Sequence, residues 1–272
     1  VHNLGLEPVT DISSLNLRAY SNARVVSEYG KAAGLQPPEM EILSRLQSEF
    51  SGRRILDIGV GGGRTTPFLI EISRNYLGID YSPEMIEQCR SRYPGVDLRT
   101  FDVRDLSQLG EGTFDLVLFS YNGIDYIEHE DRIRVLADVR HVLSAGGAFV
   151  FSSHNRAASV RSAWSPDHLP LRTNPFRELR SFAHQLVRYT RGIRNASVNR
   201  RHERQAETYE LRNDEGEHYS LVTYYIHIEH QMCQLADAGF RDCRAVALDG
   251  RLLEPRDYAN TRDPWIHYLC RR

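Results

Sequence analysis

The segment Asp57-Ile58-Gly59-Val60-Gly61-Gly62-Gly63 offers a stretch of backbone able to hold a nucleotide-type ligand. A strand-to-helix turn against which a ligand lies needs residues that lack Cβ and reach positive φ. Asp57-x-Gly59-x-Gly61-x-Gly63 meets that need. A dinucleotide fingerprint would place a glycine three positions after its second one, so that a pyrophosphate rests on the helix N-terminus. Counted from Gly59 and Gly61 that position is Arg64, and counted from Gly61 and Gly63 it is Thr66, so neither register fits. Asp80 closes the run NYLGID, where a carboxylate can accept both hydroxyls of a ribose. Asp102 follows Phe101, where it could accept from an adenine amino group. Acids at three successive strand ends suit a ligand with a cationic amino-acid tail, a ribose and an adenine.

The elements that must position these residues are legible in the pattern. Arg54–Ile58, Asn75–Asp80, Val96–Phe101, Phe114–Ser120 and Ala148–Ser153 read as strands, with helices over Thr65–Ser73, Pro83–Arg92 and Arg132–Leu143 between them. Runs such as LVLF and FVF are apolar on both faces, as buried parallel strands must be. The alternation predicts an α/β fold: a Rossmann-like, doubly wound, seven-stranded, mostly parallel sheet with helices on both faces. After Ser153 the rhythm breaks. Residues 156–204 hold eleven arginines against three acids; Asn174-Pro175 reads as a helix start, and Phe176, Leu179, Phe182, Ala183, Leu186 and Val187 form an apolar stripe. Residues 206–212 and 218–226 read as a hairpin around Asn213–Gly216. The α/β pattern resumes with a helix over Glu229–Ala238 and strands at Cys243–Leu248 and Trp265–Cys270. The expected organisation is a helical cap over 1–50, a ligand-binding core over 51–153, an arginine-rich insertion with a helix and hairpin lid over 154–226, and the rest of the core over 227–272.

With 41% hydrophobic and 26% charged residues the chain has the composition of a soluble globular protein. A net charge of −2 gives no general pull toward nucleic acid or a membrane surface, and no apolar run is long enough to span a bilayer. Cys89, Cys233, Cys243 and Cys270 show no paired spacing, which points to a reduced, cytoplasmic protein without a metal knuckle.

Together these motifs resemble the class I S-adenosylmethionine-dependent methyltransferases of the small-molecule type. ILDIGVGGGRTT is similar to their first motif, GIDYSPEMI to the acidic second, FDVRDL to the third, FDLVLFSYNGIDYI to the fourth and VLSAGGAFVFSS to the stretch around the fifth strand. The resemblance covers about residues 50–153 and returns from HIEHQMCQLADAGF to the C-terminus. It implies that S-adenosylmethionine is the cofactor and S-adenosylhomocysteine the product. By that resemblance Asp57, Gly59, Gly61 and Gly63 face the methionine part, and Asp80 with Tyr81 holds the ribose. Met85 lies near the adenine, Asp102 and Val103 read its edge, and Ser120 and Tyr121 line the methionyl side. Tyr20 and Tyr29 would close over the ligand as part of a helical lid, or simply pack.

Methyl transfer is an in-line displacement, so the protein mainly aligns the nucleophile, adding a base where an acidic hydroxyl must be deprotonated. Ser120-Tyr121-Asn122-Gly123 is not the Asn/Asp-Pro-Pro-aromatic motif of enzymes that methylate planar amino groups, and no acidic cluster for magnesium is apparent, so no metal is expected. His154, just past the fifth strand, is the candidate base; the competing reading is a histidine that orders the start of the insertion. Asn122 and Asp125 could reach the acceptor or merely shape a turn, and Tyr224, Tyr225 and His227 crowd the end of the hairpin, where some should face the pocket and bind the acceptor. The insertion is either a solvated charged surface or a lid favouring an anionic small-molecule acceptor. The expected activity is transfer to oxygen or nitrogen of a small molecule. An RNA methyltransferase using the basic insertion, or a non-catalytic S-adenosylmethionine-binding protein, are the alternatives.

Overall fold

A computed structural model describes residues 12–31, 34–165 and 179–272. Its sheet runs β10(Leu252–Leu253)-β9(Arg241–Val246)-β11(Trp265–Arg271)-β5(Leu143–Asn155)-β4(Phe114–Phe119)-β1(Ile55–Ile58)-β2(Tyr76–Asp80)-β3(Leu98–Thr100). Strands β1 to β5 pair in parallel, and β11 runs antiparallel to both β5 and β9. Seven of these strands are the expected core, and β10 adds a two-residue edge to β9. Strand order reverses between β1 and β4, which opens a crevice beyond their carboxyl ends.

Alternation along the central strands divides the interior into two layers. Leu56, Val117, Phe119, Phe149 and Phe151 pack on one face with α6 (His129–Val142) and α8 (Ile228–Asp237). Ile55, Leu116, Leu118 and Val150 pack on the other with α3 (Pro37–Phe50), α4 (Thr66–Ile72) and α5 (Pro83–Arg92). α5 starts where the chain supplies a cap: the Ser82 hydroxyl accepts from the Met85 N–H at 3.2 Å, and Pro83 occupies the first turn.

Ahead of the core, α1 (Ile12–Tyr20) and α2 (Ala23–Lys31) form the expected cap. Asn16 stitches α1 to the insertion, exchanging two hydrogen bonds with the backbone of Val222 at 3.0 and 3.1 Å. α2 crosses the glycine turn where both chains lack a side chain. A Cβ on Gly62 would sit 2.7 Å from the Tyr29 carbonyl oxygen and 2.8 Å from Gly30 Cα.

The insertion departs from expectation in three ways. Its hairpin pairs β7 (Tyr209–Arg212) with β8 (Thr223–Ile226), and the connection spans 213–222, not four residues. The second strand cannot begin at residue 218, because Glu217, His218 and Tyr219 have φ of 45, 58 and 61°, a left-handed run outside strand geometry. β8 also pairs in parallel with the end of β5 (His154↔Tyr225, Asn155↔Ile226), so the hairpin extends the main sheet above β4. Finally, α7 (Leu179–Asn199) runs well past the expected stripe, of which Leu186 and Val187 are 41% and 65% exposed. Asn174, Pro175 and Phe176 lie outside the described residues. No helix among the described residues is long and apolar enough to cross a membrane.

Candidate active site

The crevice at the strand-order reversal is a cavity of ≈ 360 Å³. One wall is the glycine turn. Gly59 and Gly61 have φ of +65 and +53° and line the cavity. A Cβ on Gly61 would meet nothing nearer than 3.9 Å, so the space over this residue is open to the cavity. Gly63 serves packing instead: a Cβ there would lie 2.6 Å from the Tyr93 ring and 2.8 Å from Cys89 Sγ, and the residue does not line the cavity. Beneath the turn, Asp57 accepts from the Thr65 and Tyr76 hydroxyls at 2.7 and 2.9 Å. Burial pushes its carboxyl up to about 6 despite those donors.

Asp80, at the end of β2, receives the N–H groups of Gly61 and Ser82 at 2.9 Å each. Burial dominates here too and raises it to about 6. Tyr81, Met85, Asp102 and Val103 continue this wall. The Tyr81 hydroxyl is buried without a hydrogen-bond partner among the described residues. The Asp102 carboxylate, half-buried, is held below its usual range by Arg104, which it meets at 2.6 Å.

The facing wall is the turn after β4. Ser120 and Tyr121 line the cavity, and Tyr121 and Asn122 both take left-handed φ, 54 and 61°. Two such non-glycine residues in succession cost roughly 1–2 kcal/mol each and persist only where surroundings fix them. The Asn122 N–H donates to Ser152 Oγ at 2.8 Å, and the Ser120 hydroxyl donates to Glu39 of α3. Arg64, which follows the glycine turn, makes a bidentate pair with Glu39 at 2.6 and 2.7 Å, donates to Ser120 Oγ at 2.9 Å, and lies over the Tyr121 ring. Burial opposes ionisation of Glu39, but Arg64 and Ser120 hold it below the usual carboxylate range. One buried ion pair thus ties the two walls together.

Behind the turn lies a second polar network. Asp125 and Arg132 are wholly buried and meet at 2.6 Å; Ser153, His154 and Gln231 add further hydrogen bonds to the pair. Asp125 takes the Nδ1–H of His154 at 2.7 Å, so the neutral ring presents Nε2 as an acceptor to the Asn122 amide at 3.3 Å. His154, Asn122 and Asp125 do not line the cavity: Asn122 caps His154, and Asp125 is occupied by Arg132. Tyr224 and Tyr225 do not line it either. The Tyr224 hydroxyl bonds to His129 Nδ1 and Gln234 beside Arg132, and the Tyr225 hydroxyl donates to Asp214 at 2.8 Å. Tyr20 and Tyr29 do line it, and Tyr126 packs edge-on against Tyr20 at 5.2 Å between ring centres.

A family model described as a methyltransferase domain matches residues 55–147, the span that builds both walls of this cavity. That match bears out, over those residues, the resemblance to the class I S-adenosylmethionine-dependent methyltransferases. A probable S-adenosylmethionine-dependent methyltransferase of Mycolicibacterium smegmatis is 30% identical over 116 residues, 42% of this chain and 43% of that protein. A ubiquinone biosynthesis O-methyltransferase of Cereibacter sphaeroides is 32% identical over 136 residues, 46% of this chain and 53% of its own length. The chain spans about half the length of the curated relatives it matches. Among solved structures, an S-adenosylmethionine-dependent methyltransferase of Mesorhizobium loti superposes with a TM-score of 0.56 at 21% identity, over 86% of this chain and 98% of that one, a likeness of fold.

The residues present fit the methyltransferase cofactor. The open space over Gly61, the orphaned Tyr81 hydroxyl and the buried Asp80 carboxylate give a nucleoside and its amino-acid tail the surfaces they need. Sequence reasoning missed several members of this methyltransferase site. Arg64 entered only as a misfit to the dinucleotide register, and its partner Glu39 carries no motif. Gly30, Tyr126, Glu28 and Glu217 also went unnoticed. Of these only Tyr126 was signalled, by its place in the fourth motif; the others meet the site through tertiary packing.

Proposed function

We propose that this methyltransferase transfers a methyl group from S-adenosylmethionine to an oxygen or nitrogen of a small molecule by in-line displacement. The observation that carries the reading is the single cavity in which Gly59, Gly61, Asp80 and Asp102 of the matched domain stand opposite Tyr20, Tyr29 and Tyr126. When bound, the cofactor supplies an activated methyl carbon on a sulfonium. The glycine turn and Ser120 would hold its amino-acid tail, Asp80 its ribose, and Met85, Asp102 and Val103 its adenine. The tyrosines of α1 and α2 would exclude water and keep the acceptor on the line of attack. Their phenols stay neutral, since burial raises Tyr29 to about 12 and holds Tyr20 and Tyr126 well above their ordinary value.

His154 enters this reading as a positioning residue. Asp125 and Asn122 hold both ring nitrogens, so its effect on the acceptor passes through the Tyr121–Asn122 turn. Release of S-adenosylhomocysteine, measured across a panel of small hydroxyl, carboxyl and amine acceptors, tests the proposal. Tight binding of the cofactor with no turnover on any of them would overturn it.

A further inference from the structure

Among the described residues no arginine of the insertion reaches the cavity, whose only arginine side chains are Arg64 and Arg104. The insertion sends in an acid. Glu217 lines the mouth on the 213–222 connection, opposite Glu28 of α2. The backbone there is left-handed at three consecutive non-glycine residues and is pinned from α7: Asn195 and Asn199 donate to the carbonyls of His218 and Tyr219 at 2.9 and 3.0 Å. Asn213 donates to the Tyr219 carbonyl at 2.9 Å from the other side. So much fixing of a strained loop tip implies that the position of Glu217 matters. Its carboxylate has no hydrogen bond or ion pair among the described residues, whereas Glu28 is matched by Arg24 at 2.9 Å. Half-burial and the neighbouring Glu28 raise the Glu217 carboxyl above its usual range although Arg24 pulls it down, and a bound cation would oppose that rise. Beyond it lie the faces and edges of Tyr20, Tyr29 and Tyr126, a lining that suits a cation or an aromatic body.

We infer that the acceptor is an amine-bearing small molecule whose cationic group pairs with Glu217 at the mouth between α2 and the insertion. This rests on the methyltransferase reading and replaces the anionic acceptor expected from the arginine count. Where the amine itself is methylated, the bound ammonium first gives a proton to water at the mouth, and the neutral amine attacks. The nitrogen lone pair forms the N–C bond as the C–S bond breaks, the S–C electron pair stays on sulfur as a thioether, and the methylated product leaves as an ammonium.

The test uses the protein saturated with S-adenosylhomocysteine, titrated calorimetrically with matched pairs of opposite charge: tyramine against 3-(4-hydroxyphenyl)propionate, and phenethylamine against 3-phenylpropionate. At least one amine should bind about tenfold or more tighter than its carboxylate partner. Glu217→Gln should remove most of that preference while S-adenosylhomocysteine affinity stays within about twofold, and Glu217→Asp should restore part of it. Binding by neither amine, equal or tighter binding of the carboxylates, or a preference unchanged in Glu217→Gln would each overturn the inference. Failure of S-adenosylhomocysteine to bind would instead overturn the methyltransferase reading.

Discussion

Asp125 receives both the backbone N–H and the Nδ1–H of His154 on one carboxylate oxygen, at 2.6 and 2.7 Å, while its other oxygen receives Arg132 at 2.6 Å. A single buried acid therefore balances a buried guanidinium and fixes a ring tautomer. Replacing Asp125 with Ala leaves Arg132, fully buried, without a countercharge, which costs about 3–5 kcal/mol. Urea unfolding of the two proteins measures it, and a loss below about 1 kcal/mol would contradict the network described.

His154 offers a sharper distinction. His154→Ala should lower kcat by about tenfold to a hundredfold through the displaced Tyr121–Asn122 turn, with cofactor affinity nearly unchanged. His154→Asn, which can still donate to Asp125, should recover most of that rate. An Asn variant as slow as the Ala variant would mean that the imidazole itself takes the proton.

Cofactor affinity should depend on pH through Asp80. Burial places its carboxyl at about 6, and only the ionised form offers both oxygens as full acceptors to a ribose diol. Protonation in the free protein therefore competes with binding, and the Kd for S-adenosylhomocysteine should rise about tenfold between pH 7.5 and 5. Asp80→Asn should bind more weakly at pH 7.5 and show a flatter profile, Asp57 being the other group that titrates near 6. Calorimetry at several pH values reads both.

Much of this site was legible from residue types because its members act one at a time. A glycine that must take positive φ and an acid at the end of a strand are local requirements, so Gly59, Gly61, Asp80 and Asp102 could be named from their own neighbourhoods. Gly63 matched the same pattern yet serves Cys89 and Tyr93, because the helix it packs against is specified elsewhere. Glu39 with Arg64, Gly30 with Gly62, and Glu217 with Glu28 are pairs far apart in sequence. No periodicity encodes them, and the fold alone brings them together.

Gly62→Ala probes one such pair. The added methyl would fall 2.7 Å from the Tyr29 carbonyl oxygen, a backbone atom that can yield only if α2 shifts. The expected outcome is a rise of about tenfold or more in the Kd for S-adenosylhomocysteine, with a stability loss of about 1–3 kcal/mol. Unchanged affinity would show that α2 does not shape the cofactor pocket.

Acid should destabilise the fold through His267. The side chain is 1% exposed on β11, neither ring nitrogen has a partner among the described residues, and burial lowers it to about 4. The unfolded chain takes up this proton first, so stability falls as pH drops from about 6.5 toward 4. His267→Phe should lose about 2 kcal/mol less than the parent between pH 7.5 and 5, because the acid-side gain from Asp57 and Asp80 is common to both and cancels. Parallel stability curves for the two proteins would refute this.

The insertion leaves the sheet at Asn155 and rejoins it at Ile226, and these two residues are register partners, with the Arg156 N–H donating to the Ile226 carbonyl at 3.0 Å. Some seventy residues therefore begin and end at one spot, as an inserted cassette with joined ends does. Such a segment can be exchanged for another of different length without moving β5 or the glycine turn. Acceptor choice and donor binding are then free to diverge separately, and transplanting residues 156–225 into a relative of the same fold would carry the preference of the mouth with it.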